Sequence, residues 1–182
     1  MAVSPSQSFT VTANGGLLRV LETTCHISLA FDPVPGITPP TMYTFPAIWD
    51  TGATASCISQ RVVDTCGLVP IGMVKVQTAD GLVDSETFMI NLGLPNAVGF
   101  MNLPVTKGNL GSSCDVLIGM DVITQGDFTV TNKGGNTIFS FRVPSEIHID
   151  FVKEHNSRIG RPPITHGGSS KRREKLKKHK RR

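Results

Sequence analysis

The chain has 182 residues, of which 39% are hydrophobic, 18% charged and 6% aromatic, a composition that suits one soluble domain of ordinary size. No run approaches the ~18 consecutive apolar residues of a membrane-spanning helix, and the first twelve residues lack the basic opening and apolar stretch of a secretion signal, so the sequence predicts a cytoplasmic protein. The formal charge of +4 is uneven: residues 171–182 hold nine Lys and Arg against one acid, leaving residues 1–170 at −4, which excludes a basic folded body as the source of the charge.

Up to residue 143, short alternating or β-branched apolar segments are cut roughly every 8–15 positions by turn signals, and helical periodicity is almost absent, which predicts an all-β domain. Residues 9–12 and 17–21 flank Asn14-Gly15-Gly16 and read as a hairpin, since these residues supply the positive φ angles of a tight turn. A strand continues to Phe31, and the four prolines Pro33, Pro35, Pro39 and Pro40 predict a loop. The strand 43–49 runs into Asp50-Thr51-Gly52-Ala53, and residues 59–66 form a helical turn before Gly67. Val74, Val76 and Thr78 alternate toward Asp80-Gly81, and Phe88, Ile90 and Leu92 alternate on the way back, which is a long hairpin with a tight tip. Residues 115–118 read as a buried strand meeting Gly119. A short helix follows over 121–125, with Gly126 as its stop, and residues 128–130 and 138–141 close the domain as a hairpin around Gly134-Gly135. Three parts result: a domain over 1–143, a linker or extension over 144–170 whose residues 147–153 keep some apolar character, and a disordered basic tail over 171–182.

The segment richest in chemistry is Asp50-Thr51-Gly52-Ala53, a carboxylate directly after an apolar strand, beside a hydroxyl and a glycine that lets the backbone turn sharply. Such a strand end presents an acid or base rigidly. The same residues also suit an Asp that merely caps its own turn. Cys25, Cys57, Cys66 and Cys114 have no Cys-x-x-Cys spacing and read as reduced, mostly packed thiols, and the five histidines form no metal-like pattern, so no metal is predicted. Signatures of serine hydrolases, phosphate-binding loops and zinc peptidases are missing.

In the order of its parts the sequence resembles the retropepsin-like aspartic proteases, the retroviral type and its bacterial relatives, over residues 15–143. Asp50-Thr51-Gly52-Ala53 matches the family's catalytic motif and Cys57-Ile58 an apolar pair. The hairpin around Ala79, Asp80, Gly81 and Leu82 falls at the flap, and residues 115–121, from Asp115 through Leu117, Ile118 and Gly119 to Asp121, match the second signature. The resemblance implies an all-β, closed, barrel-like monomer with a flap hairpin and one short C-terminal helix, active as a homodimer. It also implies an endopeptidase that needs no metal or organic cofactor and acts on peptide or protein substrates.

Peptide hydrolysis of this kind needs two facing carboxylates, one to take a proton from water and one to give a proton to the carbonyl oxygen. The chain carries one Asp-Thr-Gly, so a two-fold axis must supply the second. By the resemblance, Asp50 is catalytic and its pair shares one proton, Thr51 braces the two motifs across the dimer, and Gly52, with Ala53 after it, lets the substrate backbone approach. Leu117, Ile118 and Leu82 are candidates for pocket walls or for plain core. The viral enzymes pair an acid after the catalytic motif with an Arg after the second glycine. Here Thr54 and Met120 stand there, so both charges are missing together and neither is left unpaired. The sequence leaves the role of Asp121 open, with an N-terminal cap for the helix that follows as the modest reading.

Two alternatives accompany this reading. One is a weak or inactive retropepsin-like module that binds peptides or dimerises. The other concerns the tail from Lys171 to Arg182, which either contacts nucleic acid through phosphates or stays a solvated extension.

Overall fold

The computed structural model describes residues 6–78 and 81–160. Its strands are β1 (Gln7–Thr12), β2 (Glu22–Leu29), β3 (Tyr43–Trp49), β4 (Cys57–Ile58), β5 (Gly72–Thr78), β6 (Gly81–Gly93), β7 (Gly99–Lys107), β8 (Val116–Ile118), β9 (Asp127–Thr131) and β10 (Ile138–Val143), with helices α1 (Gln60–Cys66), α2 (Met120–Ile123) and α3 (Phe151–Arg158). No helix among the described residues is long and apolar enough to cross a membrane. The chain divides into two compact units between Glu146 and Ile147.

In the first unit, a seven-stranded sheet runs β2-β3-β8-β4-β7-β6-β5, and a further β2–β6 pairing closes six of its strands into a ring. The β3–β8 and β4–β7 pairs are parallel and the rest antiparallel. A second, antiparallel sheet runs β1-β10-β9. The alternation read in the sequence is the reason for closure: Cys25 and Ile27 of β2, Phe45 and Ala47 of β3, Phe88 and Ile90 of β6 and Val105 of β7 are all buried.

The expected β1 hairpin is a correction. Residues 17–21 form no strand, and β1 pairs with β10, Phe9 opposite Phe141. The Asn-Gly-Gly turn does form, with positive φ at Gly15 and Gly16, but it lies against Thr137, whose N–H donates to the Gly16 carbonyl at 3.1 Å. Aromatic burial decides the pairing: Phe9 lies edge-on to Phe139 at 6.4 Å and tilted against Trp49 at 5.8 Å. The expected helices over 59–66 and 121–125 and both later hairpins are present, though α2 ends at Thr124 rather than at Gly126. Gly126 is required instead by close approach, since a Cβ there would collide with the Arg142 carbonyl.

In the second unit, within the stretch expected as a linker or extension, residues 151–158 form α3. The Asp150 carboxylate caps it by accepting from the Lys153 N–H at 2.9 Å, and Glu154 pairs with Arg158 one turn on. The basic tail and the flap residues Ala79 and Asp80 lie outside the described residues.

Candidate active site

The site begins with the anchoring of Trp49. Its ring is buried and stacked on Phe128, centroids 5.4 Å apart and planes 7° apart, and its Nε1 donates to the Thr23 hydroxyl at 3.0 Å. The strand end is therefore fixed, and Asp50 follows it directly. The Asp50 N–H donates to the Ile118 carbonyl at 2.9 Å, which ties the ends of the parallel strands β3 and β8. The chain then turns back: Ala53 N–H donates to the Asp50 carbonyl at 3.2 Å, and Gly52 N–H donates to Asp50 Oδ1 at 2.8 Å. A Cβ at Gly52 would stand 3.1 Å from that oxygen, so glycine lets the amide hold the carboxylate in one orientation. Thr51 is exposed, and its hydroxyl makes no hydrogen bond among the described residues.

The second motif is bolted onto this turn. Met120 N–H donates to the Ala53 carbonyl at 2.8 Å. Gly119 is buried so closely that a Cβ would lie 2.7 Å from the Ala55 carbonyl carbon and 3.0 Å from the Ala53 oxygen. Both partners are backbone and cannot yield cheaply.

Asp121 is not the expected helix cap. Gly119 holds that position, and Asp121 reaches across to the loop that follows Asp50. Its Oδ2 accepts from the Ser56 N–H at 2.9 Å, and its Oδ1 accepts from the Ser56 hydroxyl at 2.8 Å and from the Val122 N–H at 3.0 Å. The Ser56 hydroxyl in turn accepts from the Gly119 N–H at 3.1 Å. Ser56 is buried to 1% exposure, so this closed set of bonds is internal to the fold. Met120, where the viral pattern has a cation, packs partly buried against the core, and Thr54 is exposed.

A groove of about 770 Å³ opens beside the turn. Gly52, Ala53 and Leu117 line one side, and Val74, Val76 and Val83 of the β5–β6 hairpin line the other. Strand alternation separates the two wall candidates of β8: Leu117 lines the groove, whereas Ile118 faces the opposite side and is fully buried in the core. Leu82 stands 66% exposed on the hairpin and does not line the groove. Gly81 begins β6 with φ of 122°, a conformation that favours glycine at a hairpin tip.

All four cysteines are free. Burial pushes the Cys25 thiol up to about 12 and the Cys66 thiol up to about 11, and it raises Cys57 and Cys114 as well. None is an activated nucleophile. No group of three or more His, Cys, Asp or Glu suited to a metal ion occurs among the described residues.

Sequence reasoning missed three further participants. Ser59 caps α1 and donates to Asp115 Oδ1 at 2.9 Å, while Arg61 Nη1 donates to Asp115 Oδ2 at 2.7 Å. The third is Ser56. A hydroxyl six positions after Asp50, facing an acid two positions after the second glycine, is the signal that identifies that pair.

No curated protein matches the chain. Among solved structures it is similar to a retropepsin-like aspartic protease from Rickettsia conorii, at 13% identity with a TM-score of 0.45 over 80% of this chain and 100% of that one. It is similar to the Simian Foamy Virus (mac) protease at 15% identity and a TM-score of 0.34, over 54% and 89%. It is also similar to the retroviral protease-like domain of Ddi1 from Leishmania major at 18% identity and a TM-score of 0.39, over 68% and 95%. The family model described as gag-polyprotein putative aspartyl protease matches residues 42–125. That span runs from the start of β3 through α2 and includes the Asp50 turn, the hairpin and the Gly119 motif, and over it the chain is similar to that aspartyl protease family.

Proposed function

We propose that the chain is an aspartic endopeptidase that works as a homodimer, with Asp50 of each protomer facing the other across a two-fold axis. The observation that carries this reading is the Asp50 carboxylate fixed by the Gly52 N–H in a turn whose Gly52 and Ala53 line a groove that the β5–β6 hairpin borders. One carboxylate is ionised and takes a proton from water as the water oxygen bonds to the substrate carbonyl carbon. Its neutral partner gives its proton to the carbonyl oxygen. The tetrahedral diol collapses as the carboxyl that took the water proton gives it to the amide nitrogen, a diol hydroxyl gives its proton to the other carboxylate and the C–N bond breaks, which leaves the pair with a single shared proton. Gly52, Thr51 and Ala53 support the pair, the hairpin closes over the substrate as a flap, and Leu117 forms part of the pocket. Residues 1–143 make up this protease domain.

The test is cleavage of an unfolded protein substrate by the purified chain at several dilutions, beside Asp50→Asn. Activity per chain that falls on dilution and is lost in the variant is the expected outcome. Cleavage by the variant at the parent rate, or activity per chain independent of dilution while the protein is monomeric, would refute the paired-carboxylate mechanism. A folded dimer that cleaves nothing would favour a peptide-binding module.

A further inference from the structure

Past the groove lies a second depression of about 560 Å³, and the two share one wall, residues 107–110. The groove beside the Asp50 turn mixes Ala53, Leu117 and three valines with Lys75, Asp84 and the shared Lys107, whereas the walls that belong to the second depression alone are Ser59, Gln60, Arg61, Gly111, Ser112 and Asp115.

The charges in the second depression are not equivalent. The Asp115 side chain is only 10% exposed, and both of its oxygens are engaged, Oδ1 by the Ser59 hydroxyl and Oδ2 by Arg61. Lys107 is tied to Glu86 of β6. The Arg61 side chain is 67% exposed, yet it is anchored twice, by Asp115 at 2.7 Å and by the face of Phe45, whose ring centroid lies 5.8 Å from the guanidinium carbon. Of its five N–H donors, the structure gives a hydrogen bond to one, on Nη1, among the described residues. A guanidinium held in place with donors turned to solvent is preorganised for a carboxylate and loses little freedom on binding one.

We infer that this second depression is a subsite for an acidic side chain of the substrate, with Arg61 as the residue that determines the preference. The inference rests on the protease reading for the identity of the ligand, a peptide running through the adjoining groove. The preferred substrate is then a peptide with Asp or Glu a few positions from the cut bond. Gln in place of Glu keeps the size and hydrogen-bonding reach and removes the charge, so the Glu/Gln pair isolates the electrostatic contribution.

The experiment uses the full-length Asp50→Asn chain, which binds without cutting. It is offered degenerate decapeptide mixtures that carry Glu or Gln at one fixed position, stepped along the peptide, and retained peptides are counted by mass spectrometry. At one or two neighbouring positions Glu is expected to be enriched about fivefold over Gln, as for a partly exposed ion pair, and the enrichment should shrink as salt is raised. Adding Arg61→Gln should abolish it, and Arg61→Lys should retain part of it. As a measurement that needs no second variant, the Glu mixture should protect Arg61 from phenylglyoxal while the Gln mixture does not. Equal retention of Glu and Gln peptides at every position, enrichment that survives Arg61→Gln, or an Arg61 that no mixture protects would overturn the subsite. Enrichment by the Asp50→Asn chain together with no cleavage by the parent chain would sink the protease reading and leave the subsite standing.

Discussion

The Ser56–Asp121 pair offers the sharpest test of how the site is held. In Asp121→Ala the Ser56 N–H, in a residue 1% exposed, loses its acceptor at 2.9 Å, and the Ser56 hydroxyl loses its acceptor at 2.8 Å. The Val122 N–H is not orphaned, because it also donates to the Gly119 carbonyl at 3.2 Å. A buried donor left unpaired costs about 1–3 kcal/mol, and a lost hydrogen bond to a charged group costs about as much. The two losses overlap in one small space, so the expected destabilisation is about 2–4 kcal/mol. Asp121→Asn keeps one carbonyl oxygen but turns an NH2 group toward one of the two donors, and should cost about 1–2 kcal/mol. Equilibrium unfolding in urea, followed through the single buried Trp49, measures both. Ser56→Ala combined with Asp121→Ala should cost less than the two single changes together, by about 1 kcal/mol or more, because each removes the other's partner. Additive losses, or an Asp121→Ala chain within about 0.5 kcal/mol of the parent, would refute the brace.

Further outcomes follow from the same geometry. Gly119→Ala places a methyl 2.7 Å from the Ala55 backbone, so the two motif loops must separate; a loss of about 2–3 kcal/mol in urea unfolding is expected, with cleavage falling in step. Unaltered stability would show that the loops yield freely. Burial favours the neutral form of the Cys25 thiol, ordinarily near 9.0 and pushed up to about 12 in the fold. Its contribution to stability is therefore complete below pH 9.0 and is lost as pH rises toward 12, and urea midpoints measured across that window should fall more steeply for the parent than for Cys25→Ala. At neutral pH iodoacetamide should label Cys57, at the groove, before the buried Cys25, Cys66 and Cys114; equal labelling of all four would contradict the packing.

Local periodicity made most of the fold legible. The alternation of residues 74–92 is the β5–β6 hairpin, and the apolar run ending at Ile118 is the strand that meets Gly119. What the sequence concealed depends on contacts between distant residues. β1 sits 130 positions from its partner in the Thr10–Ser140 pair, and no turn signal encodes that choice. A tight Asn-Gly-Gly turn does encode a nearby hairpin, and the local signal was overridden by the burial of Phe9 among Trp49, Phe139 and Phe141. Helix α3 was overlooked because its apolar residues, such as Phe151 and Val152, are exposed rather than set in a buried stripe, although Asp150 and the Glu154–Arg158 spacing mark its ends. Within the site, Asp50 and Gly119 were readable as motif residues. Asp121 was read locally as a cap, when its carboxylate in fact answers a serine 65 positions earlier.

Strand β6 is a cantilever. Its inner half is clamped on both edges, residues 90–93 by β2 and 87–93 by β7, whereas residues 81–86 have only β5 beside them. The clamp ends where Ser85 donates to the Lys107 carbonyl at 2.6 Å and Glu86 meets Lys107. A force on the hairpin tip is thus borne at this fulcrum, where the beam meets its support, and the ring of strands behind it need not deform. Lys107 also stands in the wall shared by the two depressions. Lys107 is thus at once part of the support of the hairpin and part of the wall between the two depressions.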